Sequence, residues 1–305
     1  MSTFALIGAA GFIAPRHMKA IKDTGNELIA ALDLIDSVGI LDSHFPDCKF
    51  FTEFSLFDDF CKRTKPDYIS ICSPNYLHLF HCKYALSIGS IPICEKPLVL
   101  SLNELFDLKQ CSRTCNIPVY TVMQLRLNPT LIDLKQSIGR HYVGTADIDY
   151  YTPRGHWYSQ SWKSDSKKSG GLAFAIGIHL FDVATWLFGE ANDIFMQQKN
   201  DDCMEGWLLL QQANVHFHLA INETVYNRHK TKATKSLNSR RIITINNRQS
   251  FDMSAGFVDA HTRVYQDILS GNGLCIDDAK KSIGVAEIIT KHPHSLWEIP
   301  RDALR

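Results

Sequence analysis

The stretch FALIGAAGFIAPRHMKAI, residues 4–21, runs from an apolar strand through small residues into a helix. Gly8 allows a tight turn after the strand, and small side chains in the turn let a pyrophosphate approach the backbone. The first amides of the helix would face that anion, assisted by the helix dipole. The residues predicted to surround the phosphates are Gly8, Ala10, Gly11, Phe12 and Ile13.

A glycine turn alone is weak evidence, and the strict G-x-G-x-x-G is absent because Ala10 and Ile13 replace its second and third glycines. Support comes from Asp33, at the end of the next predicted strand. A carboxylate there accepts hydrogen bonds from both ribose hydroxyls of NAD and repels a 2′-phosphate. No Arg or Lys follows in LDLIDSVG, residues 32–39, which favours NAD over NADP. The alternative role for Asp33 is a helix cap.

Strand and helix patterns alternate through the first 125 residues, and the predicted strands are short apolar runs. The predicted strands are 4–9, 27–34, 48–52, 67–73, 91–95 and 119–124. The predicted helices are 15–23, 56–64, 77–88 and 101–115. This alternation predicts a doubly wound parallel sheet, a Rossmann domain over residues 1–124.

After residue 125 the pattern changes to longer runs that alternate between apolar and polar residues. The strands predicted there are 145–152, 193–198, 206–211, 214–222 and 240–246, and the helices are 128–140, 172–188, 256–270 and 277–291. Period-two alternation predicts an open, mainly antiparallel sheet with one exposed face. The sequence thus predicts a second α/β domain over residues 125–305. The basic stretch 227–241 is predicted to be a solvated loop, with a subunit contact as the alternative.

Composition narrows the classes of function. The 32 Lys and Arg residues balance 32 Asp and Glu residues, which argues against nucleic-acid binding. No run of about 18 apolar residues occurs, which predicts that no segment spans a membrane. The nine cysteines are scattered and the N-terminus lacks a basic region, so we expect reduced thiols in a cytoplasm. Without HExxH, paired CxxC or a carboxylate cluster, no metal site is predicted.

The stretch SICSPNYLHLFHCKYAL, residues 70–86, carries further candidate cofactor contacts. A predicted strand ends at Ser73, and Pro74 and Asn75 lead into a helix. Since the carboxyl ends of parallel strands face the ligand crevice, these three residues are predicted to line the cofactor. His78 lies one helical turn further on, and it either reaches the same edge or is a surface residue.

The stretch IPICEKPLVL, residues 91–100, places Glu95 and Lys96 where a strand ends. Lys96 would point to the place where nicotinamide and substrate meet, and Glu95 would bond the nicotinamide ribose. Pro97 blocks continuation of the strand, and the Lys96–Pro97 bond is the candidate for a cis peptide. The alternative is an ordinary surface Lys–Glu pair.

The stretch KKSGGLAFAIGIHLFDVATWLFGE, residues 167–190, carries a candidate acid/base pair. His179 and Asp182 are three residues apart on a predicted helix, so the carboxylate could orient the imidazole. Histidine suits proton transfer near neutral pH. The alternative is a helical pair that only stabilises the fold.

Three parts of the chain together resemble the glucose–fructose oxidoreductase / inositol dehydrogenase family. They are GAAGFIAPRH, ICSPNYLH with the later CEKPL, and GG with the later IGIHLFD. Other segments, among them RGHWYSQSWKSDSKKSGG and GFVDAHTRVYQDILSGNG, are similar to the UDP-N-acetyl-2-amino-2-deoxyglucuronate 3-dehydrogenases of bacterial O-antigen synthesis. The resemblance implies a Rossmann domain followed by an open-sheet α/β domain, NAD(P)-dependent oxidation of a sugar hydroxyl, and a homo-oligomer, a tetramer in this subgroup.

The same resemblance assigns catalytic roles residue by residue. Lys96 matches the lysine of the family's EKP motif and would hydrogen-bond the reacting hydroxyl. His179 would take the hydroxyl proton with Asp182 orienting it, although a desolvated Lys96 could also be the base. One departure is Ala175, where the family has Asp and the subgroup Asn, so a polar contact to substrate or cofactor is missing.

Anion-binding and stacking residues are also predicted around the crevice. A nucleotide-sugar diphosphate and carboxylate need donors, and arginine suits bidentate contact with either group. Gln124 and Trp162 are predicted to contact the cofactor. The predicted substrate contacts are Lys96, Arg126, Asn128, Arg154, Lys163, Lys168, Ala175 and His179.

The motifs predict an NAD-dependent dehydrogenase, and the resemblance implies that it oxidises the C3 hydroxyl of UDP-N-acetylglucosaminuronate in lipopolysaccharide (O-antigen) biosynthesis. The resemblance adds the hypothesis that 2-oxoglutarate reoxidises bound NADH. A dehydrogenase of a free sugar or inositol is one alternative. A non-catalytic NAD-binding regulatory protein is another, which Ala175 favours and which Lys96 and His179 disfavour.

Overall fold

The chain divides into two compact units whose boundaries follow the change of pattern at residue 125. The computed structural model describes residues 1–141, 143–222, 239–254 and 259–291. The first unit consists of residues 1–124 together with residues 259–280, and the second contains the other described residues. The predicted assignment of all of 125–305 to the second domain therefore differs from the structure. The chain returns to the first unit late in the sequence, a step that local periodicity does not reveal.

Six parallel strands form the sheet of the first unit. They are β1 (Thr3–Ile7), β2 (Glu27–Leu32), β3 (Lys49–Phe51), β4 (Tyr68–Ile71), β5 (Ile91–Cys94) and β6 (Tyr120–Thr121). Their order is β3-β2-β1-β4-β5-β6, and every pair is parallel. This is the order of a dinucleotide-binding sheet, with its crevice where the order reverses between β1 and β4. The prediction of a doubly wound Rossmann sheet is confirmed.

Helices cover this sheet, and local signals in the sequence set where they start and stop. The helices between the strands are α1 (Ala14–Asp23), α2 (Ile40–His44), α3 (Phe54–Thr64), α4 (His78–Ser87) and α5 (Leu102–Cys115). Ser101 caps α5, because its Oγ accepts a hydrogen bond from the Glu104 amide at 3.1 Å. The helix ends at Asn116 in a left-handed conformation. The predicted strand 119–124 is only two residues long in the structure, and Gln124–Leu127 at its predicted end forms a 3₁₀ turn.

The second unit has a six-stranded sheet of mostly antiparallel pairs. Its strands are β7 (Thr145–Tyr151), β8 (Ala191–Lys199), β9 (Cys203–Leu210), β10 (Asn214–Ala220), β11 (Arg240–Ile245) and β12 (Gln249–Asp252). The order is β12-β11-β7-β10-β9-β8, and the β7–β10 pair is parallel. The predicted open, mainly antiparallel sheet is confirmed. Most of the basic stretch 227–241, and the start of the predicted helix 256–270, lie outside the described residues.

More helices follow residue 125, and the one at Ile178–Phe188 lies in the core of the second unit. The remaining helices are α6 (Pro129–Ile138), α7 (Ser166–Ser169), α8 (Ile178–Phe188), α9 (Ala260–Leu269) and α10 (Ile276–Lys291), of which α9 belongs to the first unit. Phe181 of α8 packs edge-on against Phe217 of the sheet, with ring centroids 5.6 Å apart and both side chains fully buried. The helical stretch Ser166–Phe188 is long and apolar enough to cross a membrane, but 78% of its most apolar window is buried in the structure, as in a core helix.

Candidate nucleotide site and catalytic residues

The turn after β1 depends on a glycine. Gly8 has φ +90° and lies against the end of β4, where a Cβ atom would be 2.6 Å from the carbonyl carbon of Cys72. A Cβ on Gly11 would lie 3.0 Å from the Gly8 carbonyl oxygen. The two positions therefore leave little room for a side chain, and their predicted role beside a pyrophosphate stays a prediction.

Alanine at Gly8 is expected to unfold this edge and to weaken NAD binding. The positive φ costs about 1–3 kcal/mol by itself, and the contact with Cys72 adds steric repulsion. The matched control is Gly25→Ala, because Gly25 also has a positive φ (+73°) but has no atom within 4 Å of the added Cβ. Melting temperature and NAD titration should both show a larger loss for Gly8→Ala. Equal losses in the two variants would contradict the steric argument.

The start of α1 carries no anion of its own. Its N-cap residue, Ile13, makes no side-chain capping bond, and no acidic residue lies in the first turn. Phe12, just before it, is 81% exposed. A helix end of this kind favours an anionic group, so the turn fits a pyrophosphate.

Asp33 lies directly after β2, beside the glycine turn. Its Oδ2 accepts a hydrogen bond from the Ala10 amide at 2.9 Å, and its Oδ1 accepts one from the Ile35 amide at 3.1 Å. The helix-cap alternative does not hold, because the next helix begins at Ile40. An ionised carboxylate has about four acceptor positions, so this one can also accept ribose hydroxyls. The arrangement ties Ala10 and Asp33 into one adenosine-side surface.

The segment after β4 is held by histidines. Ser73 is buried, and its Oγ lies 2.8 Å from Nδ1 of His81. His78 is 1% exposed, so the surface alternative is wrong. Its ring nitrogens lie 2.7 Å from the Pro97 carbonyl oxygen and 2.8 Å from the Ser73 carbonyl oxygen. His78 therefore joins the segments that follow β4 and β5, and its predicted contact with a cofactor stays a prediction.

Pro74, Asn75 and Gln124 are further residues that the sequence predicts to contact the cofactor. Asn75 is buried in the 3₁₀ turn Asn75–Leu77 that precedes α4, and Pro74 leads into this turn. Gln124 ends the first unit, and its buried Oε1 has no hydrogen-bond partner within the described part of the chain. An unpaired buried acceptor is costly, and a donor on a bound ligand would satisfy it. These side chains therefore fit a nicotinamide-type cofactor.

The EKP segment has the predicted backbone, but its glutamate differs from expectation. The Lys96–Pro97 peptide is cis, as predicted. Glu95 is 6% exposed, and its Oε2 accepts a hydrogen bond from the Lys96 amide at 3.2 Å. Its Oε1 lies 3.0 Å from Nε2 of both His17 and His261. This carboxylate, predicted for the nicotinamide ribose, is thus engaged by two imidazoles.

The three residues His17, Glu95 and His261, together with Tyr265, form the Glu95 cluster. Burial raises the pKa of Glu95, but the hydrogen bonds from His17 and His261 outweigh this and hold it well below its usual value. Burial lowers the pKa of His17. The ligand-type atoms of the first three residues lie within 4.8 Å of one another. Nothing in the local sequence indicates this cluster, because its members are separated by 78 and 166 residues.

Arg126 and Asp182 form a buried bidentate ion pair within the second unit. Nη2 of Arg126 lies 2.7 Å from Oδ1 of Asp182, and Nε lies 3.1 Å from Oδ2. The side chains are 10% and 2% exposed. The pair adds an interaction to two of the predicted site residues. Asp182 holds Arg126 through this ion pair, and Arg126 is a partner of Asp182 that the sequence does not indicate. The roles predicted for Asp182 toward His179 and for Arg126 toward a substrate anion stay predictions.

Ala175 and His179 are placed together at the start of α8. The preceding segment, Ala173–Gly177, is a π-helical turn, a feature that is frequent at functional sites. Between residues 172 and 179, only Ala175 and His179 are partly accessible to solvent. The departure from the family motif therefore shares the accessible face with the predicted catalytic histidine.

The remaining predicted substrate residues differ in their contacts within the structure. Asn128 caps α6, with its Oδ1 accepting from the Thr130 amide at 2.9 Å, and its predicted contact with a substrate stays a prediction. Arg154 lies just after β7 and donates to Thr152 Oγ1 at 3.2 Å. Lys163 lies over the rings of two tryptophans, 5.2 Å from Trp157 and 5.7 Å from Trp162. Lys168 is exposed and lies 3.9 Å from the Asp165 carboxylate.

Comparison with known proteins agrees with this architecture. Residues 2–121 match the family model described as an oxidoreductase family with an NAD-binding Rossmann fold. Residues 134–202 match the model for the C-terminal α/β domain of the same oxidoreductase family. The chain belongs to this GFO/IDH/MocA oxidoreductase family. Its first unit is accordingly an NAD-binding Rossmann domain.

Solved GFO/IDH/MocA structures cover nearly the whole chain. The WlbA (WbpB) dehydrogenase from Thermus thermophilus, in complex with NAD and UDP-GlcNAcA, is 39% identical with a TM-score of 0.90. That match covers 98% of this chain and 97% of the other. The myo-inositol 2-dehydrogenase from Lactobacillus plantarum has a TM-score of 0.75 at 17% identity over 94% and 95% of the two chains, which shows the fold alone.

Curated relatives are more distant. The glucose-6-phosphate 3-dehydrogenase of Bacillus subtilis and the D-glucoside 3-dehydrogenase of Escherichia coli are each 25% identical, over 62% and 61% of this chain. These matches cover 54% and 53% of the relatives' own lengths. The chain spans between 35% and 55% of the curated relatives that it matches.

Proposed function

We propose that this protein is an NAD-dependent dehydrogenase that oxidises the C3 hydroxyl of UDP-N-acetylglucosaminuronate to a ketone. The observation that carries the proposal is the 39% identity over 98% of the chain to the Thermus thermophilus dehydrogenase bound to NAD and UDP-GlcNAcA. The C3 position is supported by the names of two curated relatives, both sugar 3-dehydrogenases.

In this proposal, residues of the chain accept the hydroxyl proton and stabilise negative charge on the hydroxyl oxygen. When bound, NAD supplies the hydride acceptor. Lys96 hydrogen-bonds the C3 hydroxyl oxygen and stabilises the negative charge that develops there. His179 accepts the hydroxyl proton at a ring nitrogen, and Lys96 is the alternative base.

Further features of the reaction belong to the same proposal. The Thermus thermophilus dehydrogenase is also known in complex with NAD and alpha-ketoglutarate at 39% identity to this chain. This supports a cycle in which a 2-oxo acid reoxidises bound NADH. A cytoplasmic homotetramer that acts in O-antigen biosynthesis is the setting that we propose for it.

The deciding experiment is a turnover assay with a panel of substrates. Purified protein with NAD should convert UDP-GlcNAcA, but neither glucuronate nor myo-inositol, to a product two mass units lighter. Mass spectrometry of the sugar is needed because NADH that stays bound would not accumulate in solution. Addition of 2-oxoglutarate should increase the number of turnovers. Oxidation of myo-inositol in preference to the UDP-sugar would overturn the substrate assignment.

Asparagine at Ala175 is expected to increase activity. Ala175 shares the accessible face with His179, so an added amide can donate to substrate or cofactor. One hydrogen bond of this kind is worth about tenfold in kcat/KM. The matched control is Ala175→Val, which adds volume but no donor. If Ala175→Asn is no faster than Ala175→Val, the missing polar contact does not limit the enzyme.

A further inference from the structure

The Glu95 cluster joins the late helix α9 to the first helix and to the EKP segment. His17 lies on α1, while His261 and Tyr265 lie on α9, and all three belong to the first unit. His17 is fully buried, and His261 and Glu95 are 4% and 6% exposed. Buried charge must be paired, so this carboxylate requires the donors that surround it.

The contacts form a complete chain of donors and acceptors. Tyr265 Oη lies 2.6 Å from Ser70 Oγ and 2.7 Å from His17 Nδ1. If the tyrosine donates to Nδ1, His17 is neutral and its Nε2–H donates to Glu95 Oε1. Nε2–H of His261 donates to the same oxygen at 3.0 Å. Burial lowers the pKa of His17, in agreement with a neutral ring.

The second carboxylate oxygen connects the cluster to the lysine. Glu95 Oε2 accepts the Lys96 amide at 3.2 Å, so the orientation of this peptide depends on where the carboxylate is held. Without the imidazole donors, the buried carboxylate would rotate toward other donors or take up a proton. The Lys96 backbone would then lose its acceptor.

We propose that His17, His261 and Tyr265 are positioning residues that hold Glu95 as an anion and thereby set the place of Lys96 at the end of β5. Their effect on catalysis rests on the proposed function, since it passes through Lys96. The hydrogen bonds within the cluster do not depend on the proposed function, and they can be measured separately.

A metal ion is the competing occupant of this cluster. The residue types would suit zinc, whose bonds of about 2.1 Å place tetrahedral ligand atoms about 3.4 Å apart. The observed separation from Glu95 Oε1 to each Nε2 is 3.0 Å, which is a hydrogen-bond distance. Both oxygens of Glu95 also accept hydrogen bonds without an ion, from the two imidazoles and from the Lys96 amide. The hydrogen-bonded state is therefore favoured.

The kinetic test compares two substitutions of one histidine. His261→Leu removes the donor, whereas His261→Gln keeps an N–H near the Nε2 position. We expect His261→Leu to lower kcat with UDP-GlcNAcA about 10- to 100-fold, and His261→Gln to recover most of this loss. The dissociation constant for NAD should change by less than about twofold in both. Equal kcat losses, or an equal loss of NAD affinity, would mean a structural function only.

The second test does not depend on activity. In the protein labelled with ¹⁵N-histidine, His17 should be a neutral imidazole protonated at Nε2, His261 should carry a proton at Nε2, and Glu95→Gln should shift both sets of signals. A cationic His17, or one equivalent of zinc by metal analysis, would overturn the proposal. If the protein fails to oxidise UDP-GlcNAcA but shows these tautomers, the proposed substrate is wrong while the cluster stands.

Discussion

Replacing Lys96 with alanine is expected to lower kcat with UDP-GlcNAcA by about 10²- to 10⁴-fold, the usual contribution of a positioned acid/base group. The ammonium group would stabilise charge on the reacting oxygen, so its loss affects the chemical step rather than cofactor capture. The cis peptide and the Glu95 contact lie in the backbone around it. The dissociation constant for NAD should therefore change by less than about twofold.

The measurement for Lys96→Ala is product formation by mass spectrometry in a single turnover, beside NAD titration. Lys62→Ala is the matched control, because Lys62 is an exposed lysine of the same unit that pairs with Asp58. Both values should be unchanged in that control. Full turnover by Lys96→Ala would remove this residue from the mechanism, and a parallel loss of NAD binding would make its role one of folding.

Replacing Asp182 with alanine should destabilise the second unit by about 3–5 kcal/mol, because it leaves the Arg126 guanidinium buried without its carboxylate. The cost comes from desolvation of an uncompensated charge, and it should appear as a lower melting temperature by calorimetry. Removal of both charges in Arg126→Met/Asp182→Leu should recover most of the loss, since an apolar pair of similar volume leaves no buried charge.

The matched control for Asp182 is an exposed ion pair. Lys83 and Asp107 pair in the first unit with side chains 37% and 47% exposed, so Lys83→Ala should cost no more than about 1 kcal/mol. An unchanged melting temperature for Asp182→Ala would show that the buried ion pair does not stabilise the second unit. If Asp182→Ala is stable but inactive, and its pH profile loses the histidine limb, then Asp182 orients His179 after all.

Local patterns were sufficient for the features that depend on neighbours in sequence. The order of apolar runs and helices predicted the parallel sheet, because strands buried on both faces must be apolar throughout. The turn at Gly8 and the carboxylate at Asp33 followed from the positions of small and acidic residues at strand ends. The cis bond at Lys96–Pro97 followed from the proline that ends the strand.

Partner choice between distant residues was decided only by the tertiary structure. The carboxylate of Asp182 pairs with Arg126, 56 residues away in sequence. Glu95 pairs with His17 and His261, and α9 returns to the first unit to supply the second of these. Hydrogen bonds and ion pairs act through space at about 3 Å, so sequence separation carries little information about them. Sequence periodicity reports which face of an element is buried, and packing alone settles which side chains meet there.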